Sequence, residues 1–155
     1  MTQQIKEKLI YKGRLFRMES YPLDSYFSKQ NIQFKHAATF NYRGYIGTWS
    51  IEDEKVYLVK FNWFMRAPED IDASEKEVVA DLFRGREKVF AEWFTGEIKT
   101  FYGKRLFTSH LGLIELYRHE LIFTIEKGVV ISKKRKLNTI LDVMKARKKA
   151  ETLFD

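Results

Sequence analysis

The chain has no cysteine among its 155 residues, which excludes disulfides, thiolate-bound zinc, iron–sulfur clusters and thiol catalysis. A chain without thiols fits a reducing compartment, so a cytoplasmic location is expected. Proline is almost as scarce, at two residues, and the eight glycines all stand singly. No Pro-, Gly- or Ser-rich linker divides the sequence, so one domain over 1–155 is expected. Single glycines also leave no G-x-G-x-x-G fingerprint and no G-x-x-x-x-G-K-[ST] loop, so dinucleotide and P-loop nucleotide binding lose their usual support. His36, His110 and His119 are the only histidines, and none belongs to an H-x-H or H-x-x-x-H pair. Metal sites draw ligands from such close pairs, so no metal and no cofactor is expected. No apolar run approaches the roughly 20 residues of a membrane span. The opening Met1–Lys8 lacks the apolar core of a signal peptide, and no membrane association is expected.

Aromatic residues are abundant instead: thirteen Phe, eight Tyr and three Trp. Large flat side chains suit pleated, half-buried surfaces, which points to a substantial sheet. Positive charge is also in excess, at a net +7, and its placement is uneven. Residues 133–150 carry Lys133, Lys134, Arg135, Lys136, Lys145, Arg147, Lys148 and Lys149 against Asp142 alone, while the rest of the chain balances. A clustered charge creates a local potential that suits an acidic partner.

Along the chain, Leu9–Met18 reads as a first strand, with a helical turn over Leu23–Phe27 behind Pro22 and a second strand over Phe34–Tyr42. Alternation through Tyr45, Gly47, Trp49 and Ile51, the polar turn Glu52–Lys55 and the apolar run Val56–Phe61 predict an antiparallel hairpin. The second run is apolar on both faces, which places it centrally in the sheet. Ser74 and Glu77 have the spacing of a capping box, with Val78, Val79, Leu82 and Phe83 as the helix's apolar stripe. Phe90, Trp93 and Phe94 keep helical spacing up to Gly96, with a strand over Val89–Trp93 as the competing reading. Glu97–Phe101 and Lys104–Thr108 around Tyr102-Gly103 predict another hairpin. Tyr117, His119, Leu121, Phe123 and Ile125 form the apolar side of a half-buried strand, turned by Lys127-Gly128 into Val129–Ile131. After the basic run, Leu137, Ile140, Leu141, Met144 and Leu153 predict a terminal amphipathic helix, so that 133–155 is read as a basic segment plus helix. The fold expected is α+β: an aromatic-rich antiparallel sheet of about six to eight strands with a middle helix and a C-terminal helix.

Three stretches, Arg43-Gly44-Tyr45-Ile46-Gly47-Thr48-Trp49, Val89–Gly96 and Glu120–Val129, together resemble a family of short, single-domain bacterial proteins of unassigned function. The likeness runs from about Tyr42 to Val130 and leaves the basic tail outside. It implies a bacterial stand-alone domain and carries over no catalytic residue.

No catalytic spacing stands out. Glu92 and Glu97 flank aromatic residues, a setting that raises a carboxyl pKa, but neither is paired with a nucleophile. Ser109-His110 is a dipeptide, and adjacency does not make a triad. His119 on its strand's apolar side reads as a core histidine. Trp63, Phe64 and Met65 enter a loop beside Pro68, where aromatics and Met serve as interface anchors or cover the core beneath. The leading expectation is therefore a non-catalytic binding protein that recognises another protein, in the manner of an immunity protein or antitoxin. One alternative is a nucleic-acid module using Lys133–Lys136 and Lys145–Lys149. The other is a small enzyme with a carboxylate or histidine site.

Overall fold

Lys12 and Gly13 fold the first apolar stretch back on itself. Both adopt left-handed φ values (50° and 76°), the geometry a two-residue hairpin turn requires. Leu9–Met18 is therefore two strands rather than the single one expected: β1 (Glu7–Tyr11) and β2 (Arg14–Met18), with Leu9 opposite Phe16. The computed structural model describes residues 4–35 and 42–154. Most of the strand expected over Phe34–Tyr42, His36 included, lies outside the described residues; Phe34 and Lys35 are in neither helix nor strand.

Pro22 starts α1 (Leu23–Lys29), its fixed φ suiting a helix entry. The next hairpin is as expected: β3 (Ile46–Glu52) and β4 (Lys55–Asn62) are joined by Asp53 and Glu54, both left-handed. α2 (Ala73–Phe83) is capped two residues earlier than Ser74 suggested. Asp72 is the cap: its carboxylate accepts from the Glu75 backbone N–H at 2.9 Å, and the Glu75 carboxylate accepts from the Asp72 N–H. Ser74 instead donates to Asp72 at 2.7 Å. The stripe is the expected one, with Leu82 buried and Val78, Val79 and Phe83 packed on the core.

Helical geometry does not resume at Phe90. Arg84 and Gly85 are both left-handed, which stops α2, and the Ala91 N–H donates to Val56 in sheet fashion. Val89–Phe90 forms a short β5 on β4, and Gly96 opens a strand instead of capping a helix. That strand, β6 (Gly96–Thr108), runs straight through Tyr102-Gly103 where a turn was expected. Its partner β7 (Glu115–Glu126) follows it from Gly96↔Ile125 to Thr108↔Glu115, absorbing irregularities after Tyr102 and at Arg105. The local break is a bulge rather than a reversal. β8 (Val129–Leu137) is longer than the Val129–Ile131 expected, because it carries Lys133–Lys136 as strand residues; α3 (Ile140–Phe154) follows.

The α+β class stands, with a mostly antiparallel eight-stranded sheet in the order β3-β1-β2-β6-β7-β8-β4-β5. The expectation of a sheet omitted its closure. β3 also pairs with β4, so the sheet curls into a barrel, sealed by the parallel pair β1–β3 and by Lys55↔Val129 between β4 and β8. Inward alternation fills it with Leu9, Met18, Trp49, Leu58, Ile98, Phe123 and Ile125, all buried. At the end where Ile46 meets Asn62, α1 covers the opening with Phe27, whose ring meets Phe34, Tyr45 and Phe61 edge-on.

Candidate functional site

A strand's period of two divides the basic run. In antiparallel pairing, directly opposed residues share a face. Lys133 lies opposite Phe123 and Arg135 opposite Leu121, so both belong to the side that faces the barrel's contents. Lys134, opposite Ile122, and Lys136, opposite Glu120, belong to the other side. There Lys136 approaches Glu120 (4.0 Å) and Asp142 (3.9 Å). Four consecutive cations are thus not one patch.

β8 pairs with β4 only at Val129. Beyond that point it passes the tip of the β1–β2 hairpin, where the barrel wall is completed by side chains. Lys133 Nζ donates to the Tyr11 hydroxyl at 3.0 Å, and the Tyr11 ring meets Phe123 edge-on at 5.0 Å. Lys12 and Lys133 each place an ammonium near that ring, at 5.4 and 5.5 Å. The hydrogen bond from Lys133, aided by both charges, holds the Tyr11 hydroxyl below the usual phenol pKa.

Beside this seam lies a cavity of about 180 Å³ lined by Tyr11, Lys12, Arg14, Phe16, Tyr102, Leu121 and Arg135. Phe16 and Leu121 are buried and make an apolar floor. Tyr102 stands edge-on to Phe16 (5.5 Å) and stacks flat on His119 (4.7 Å, 11°). Lys12, Arg14 and Arg135 supply three cations and no acid lines the cavity. Among the described residues, none of the three has a carboxylate within ion-pair distance. A smaller cavity of about 80 Å³ opens on the other side of Tyr11, against Phe123, Glu54 and Lys133.

The other predicted residues are scattered. Trp63 packs on Phe34 and Phe61, Phe64 is half-buried, and Met65 is exposed with a left-handed φ of 57°. Lys145, Arg147, Lys148 and Lys149 are exposed along α3. The helix does not rest on its large apolar residues as its amphipathic pattern suggested. Val143, Ala146 and Ala150 are its less exposed side, while Ile140, Leu141 and Met144 are 72%, 64% and 59% exposed. Small side chains let the helix axis approach β6 and β7 closely. Glu92, Glu97 and His110 are exposed, and Ser109 accepts from the Ile114 N–H in a turn. His119 is half-buried against Tyr102.

Several buried polar groups escaped the sequence reading. Glu7 is fully buried, accepting from the Gly47 N–H at 2.5 Å and from Trp49 Nε1 at 2.9 Å. Burial pushes its pKa up to about 7 despite those donors. Its alternation with Leu9 and Tyr11 was the available signal. Arg66 and Glu75 form an ion pair at 2.8 Å with both side chains buried. Asn138 bridges Glu120 and the Tyr117 carbonyl, fastening the start of α3.

Among the described residues no three His, Asp or Glu side chains group as metal ligands, and no helix is long and apolar enough to cross a membrane. No family model, curated protein or solved structure matches this chain.

Proposed function

We propose that the protein is a binding module whose seam cavity takes an anionic ligand bearing one planar ring, of the nucleotide class. One observation carries this reading: Lys12, Arg14 and Arg135, all without acidic partners, surround an apolar and aromatic floor. Unpaired cations around buried Phe16 and half-buried Tyr11 and Tyr102 suit a ligand that supplies negative charge and a flat apolar body together. Drug-sized ligands occupy about 300–1,000 Å³, whereas a cavity of about 150 Å³ holds a benzene ring. At about 180 Å³ the cavity admits one ring system and leaves the rest of the ligand at the cationic rim.

Isothermal titration with thymidine monophosphate tests the reading. Binding is expected, weakened at least tenfold by removing the phosphate or by Arg135→Gln. No heat of binding at millimolar nucleotide ends it. A second reading, recognition of another protein, draws on the outward Ile140, Leu141 and Met144 of α3. Replacing those three by Ser then abolishes partner capture and leaves nucleotide binding intact.

A further inference from the structure

The charge beyond the cavity is far larger than one nucleotide neutralises. Lys133 sits between the two cavities, Lys134 lies on the outer side of β8, and Lys145, Arg147, Lys148 and Lys149 line the exposed turns of α3. Two of the acids near this track, Asp142 and Glu120, are already engaged, while Glu151 on α3 and Glu54 beside Lys133 stand among the cations. Asp142 accepts from the Thr139 N–H and hydroxyl, and Glu120 accepts from Asn138 and meets Lys99 at 3.1 Å. Among the described residues, Lys134 and the four α3 cations have no ion-pair partner. Arg135 lines the cavity, and α3 begins five residues later along the chain, extending about 22 Å at 1.5 Å per residue.

We infer that the ligand is a single-stranded nucleic acid, with one base in the seam cavity and its following phosphates on the cations of β8 and α3. This rests on the cavity reading and extends it from a nucleotide to a strand. Single-strand binding sites combine a positively charged path with aromatic side chains on which bases stack, and here Tyr102 and Tyr11 flank the path's start. One base enters because the cavity beyond Tyr11, at about 80 Å³, is too small for a second ring. A duplex does not fit the scheme, since its bases are stacked and paired, and each would have to leave the helix to reach Phe16 and Leu121.

Fluorescence anisotropy with a twelve-nucleotide oligothymidylate, competed by thymidine monophosphate, by duplex of the same length and by inorganic polyphosphate, tests the inference. The oligonucleotide is expected to bind at least a hundredfold tighter than the monophosphate. Its affinity should fall about fiftyfold between 50 and 200 mM salt, as four phosphate contacts imply at a slope of about −0.7 each. Changing Lys145, Arg147, Lys148 and Lys149 together to Gln should weaken the oligonucleotide at least tenfold, flatten the salt slope and leave the monophosphate unaffected. If the monophosphate binds but the oligonucleotide binds no tighter, the strand is wrong and the cavity reading stands. If neither binds, both fall. Duplex binding as tight as single strand, or polyphosphate competing equally, overturns the inference.

Discussion

The two ends of this barrel spend similar side chains differently. At the α1 end, Phe27, Phe34, Tyr45, Phe61 and Trp63 pack ring against ring, and the charged groups are buried in pairs or bonded to neighbours: Arg66 with Glu75, Asp24 with the Tyr45 hydroxyl. At the seam end, Tyr11, Phe16 and Tyr102 are again close, but the cations around them have no acidic partners. Removing a partner from a buried ion pair leaves an uncompensated charge, whereas unpaired surface cations cost little in water. The α1 end is therefore where folding energy is concentrated, and the seam is where charge remains available to something else.

Glu75→Ala should break this contrast most severely. It leaves Arg66 buried without its counter-charge and removes the carboxylate that accepts from the Lys35 and Asp72 N–H groups. A loss of about 3–5 kcal/mol in urea unfolding is expected. A loss below 1 kcal/mol would mean that the α1 end does not carry the stability assigned to it.

Glu7 gives the next largest effect, and its sign is set by burial. With a folded pKa of about 7 against about 4.5 when unfolded, the native state binds the proton more tightly. Its contribution is full below about pH 4.5 and is lost as pH rises through about 7, a loss of about 3 kcal/mol. Unfolding midpoints of the native chain and Glu7→Gln, compared from pH 4.5 to 8, should differ in slope. Parallel profiles would place this carboxyl in water.

The seam should yield the smallest stability change. Lys133→Gln with Arg135→Gln should alter stability by no more than about 0.5 kcal/mol, as exposed substitutions do. The same pair should cost at least tenfold in thymidine monophosphate affinity. A large drop in melting temperature without loss of binding would make these cations structural and erase the distinction between the two ends.

Local signals were legible where pattern and chain geometry agreed. The β3–β4 hairpin and the β7 strand followed from alternation, and Leu121, Phe123 and Ile125 are buried as their spacing required. Errors arose where a signal had two physical solutions. Tyr102-Gly103 fits a turn or a bulge, and only the uninterrupted β7 beside it selects the bulge. Phe90, Trp93 and Phe94 fit a helix until Val56 takes the Ala91 N–H. The seam cavity was not legible at all, because it assembles Tyr11, Arg14, Tyr102 and Arg135 from four strands. Of its three cations only Arg135 stood out in the sequence, as part of a run along the chain rather than as one side of a strand.

Barrel closure also bears on how the chain reaches its native state. Lys55 waits for Val129, about 70 residues later, and β1 joins β3 in parallel across α1 and the segment after it. Both joints are non-local, and loop-closure entropy must be met before such contacts stabilise anything, which makes these topologies slow to fold. During synthesis the β1–β2 and β3–β4 hairpins emerge with open edges long before β8 exists to complete the wall. The cationic β8 arrives last among the strands, and its Lys and Arg residues discourage another chain's edge from taking its place.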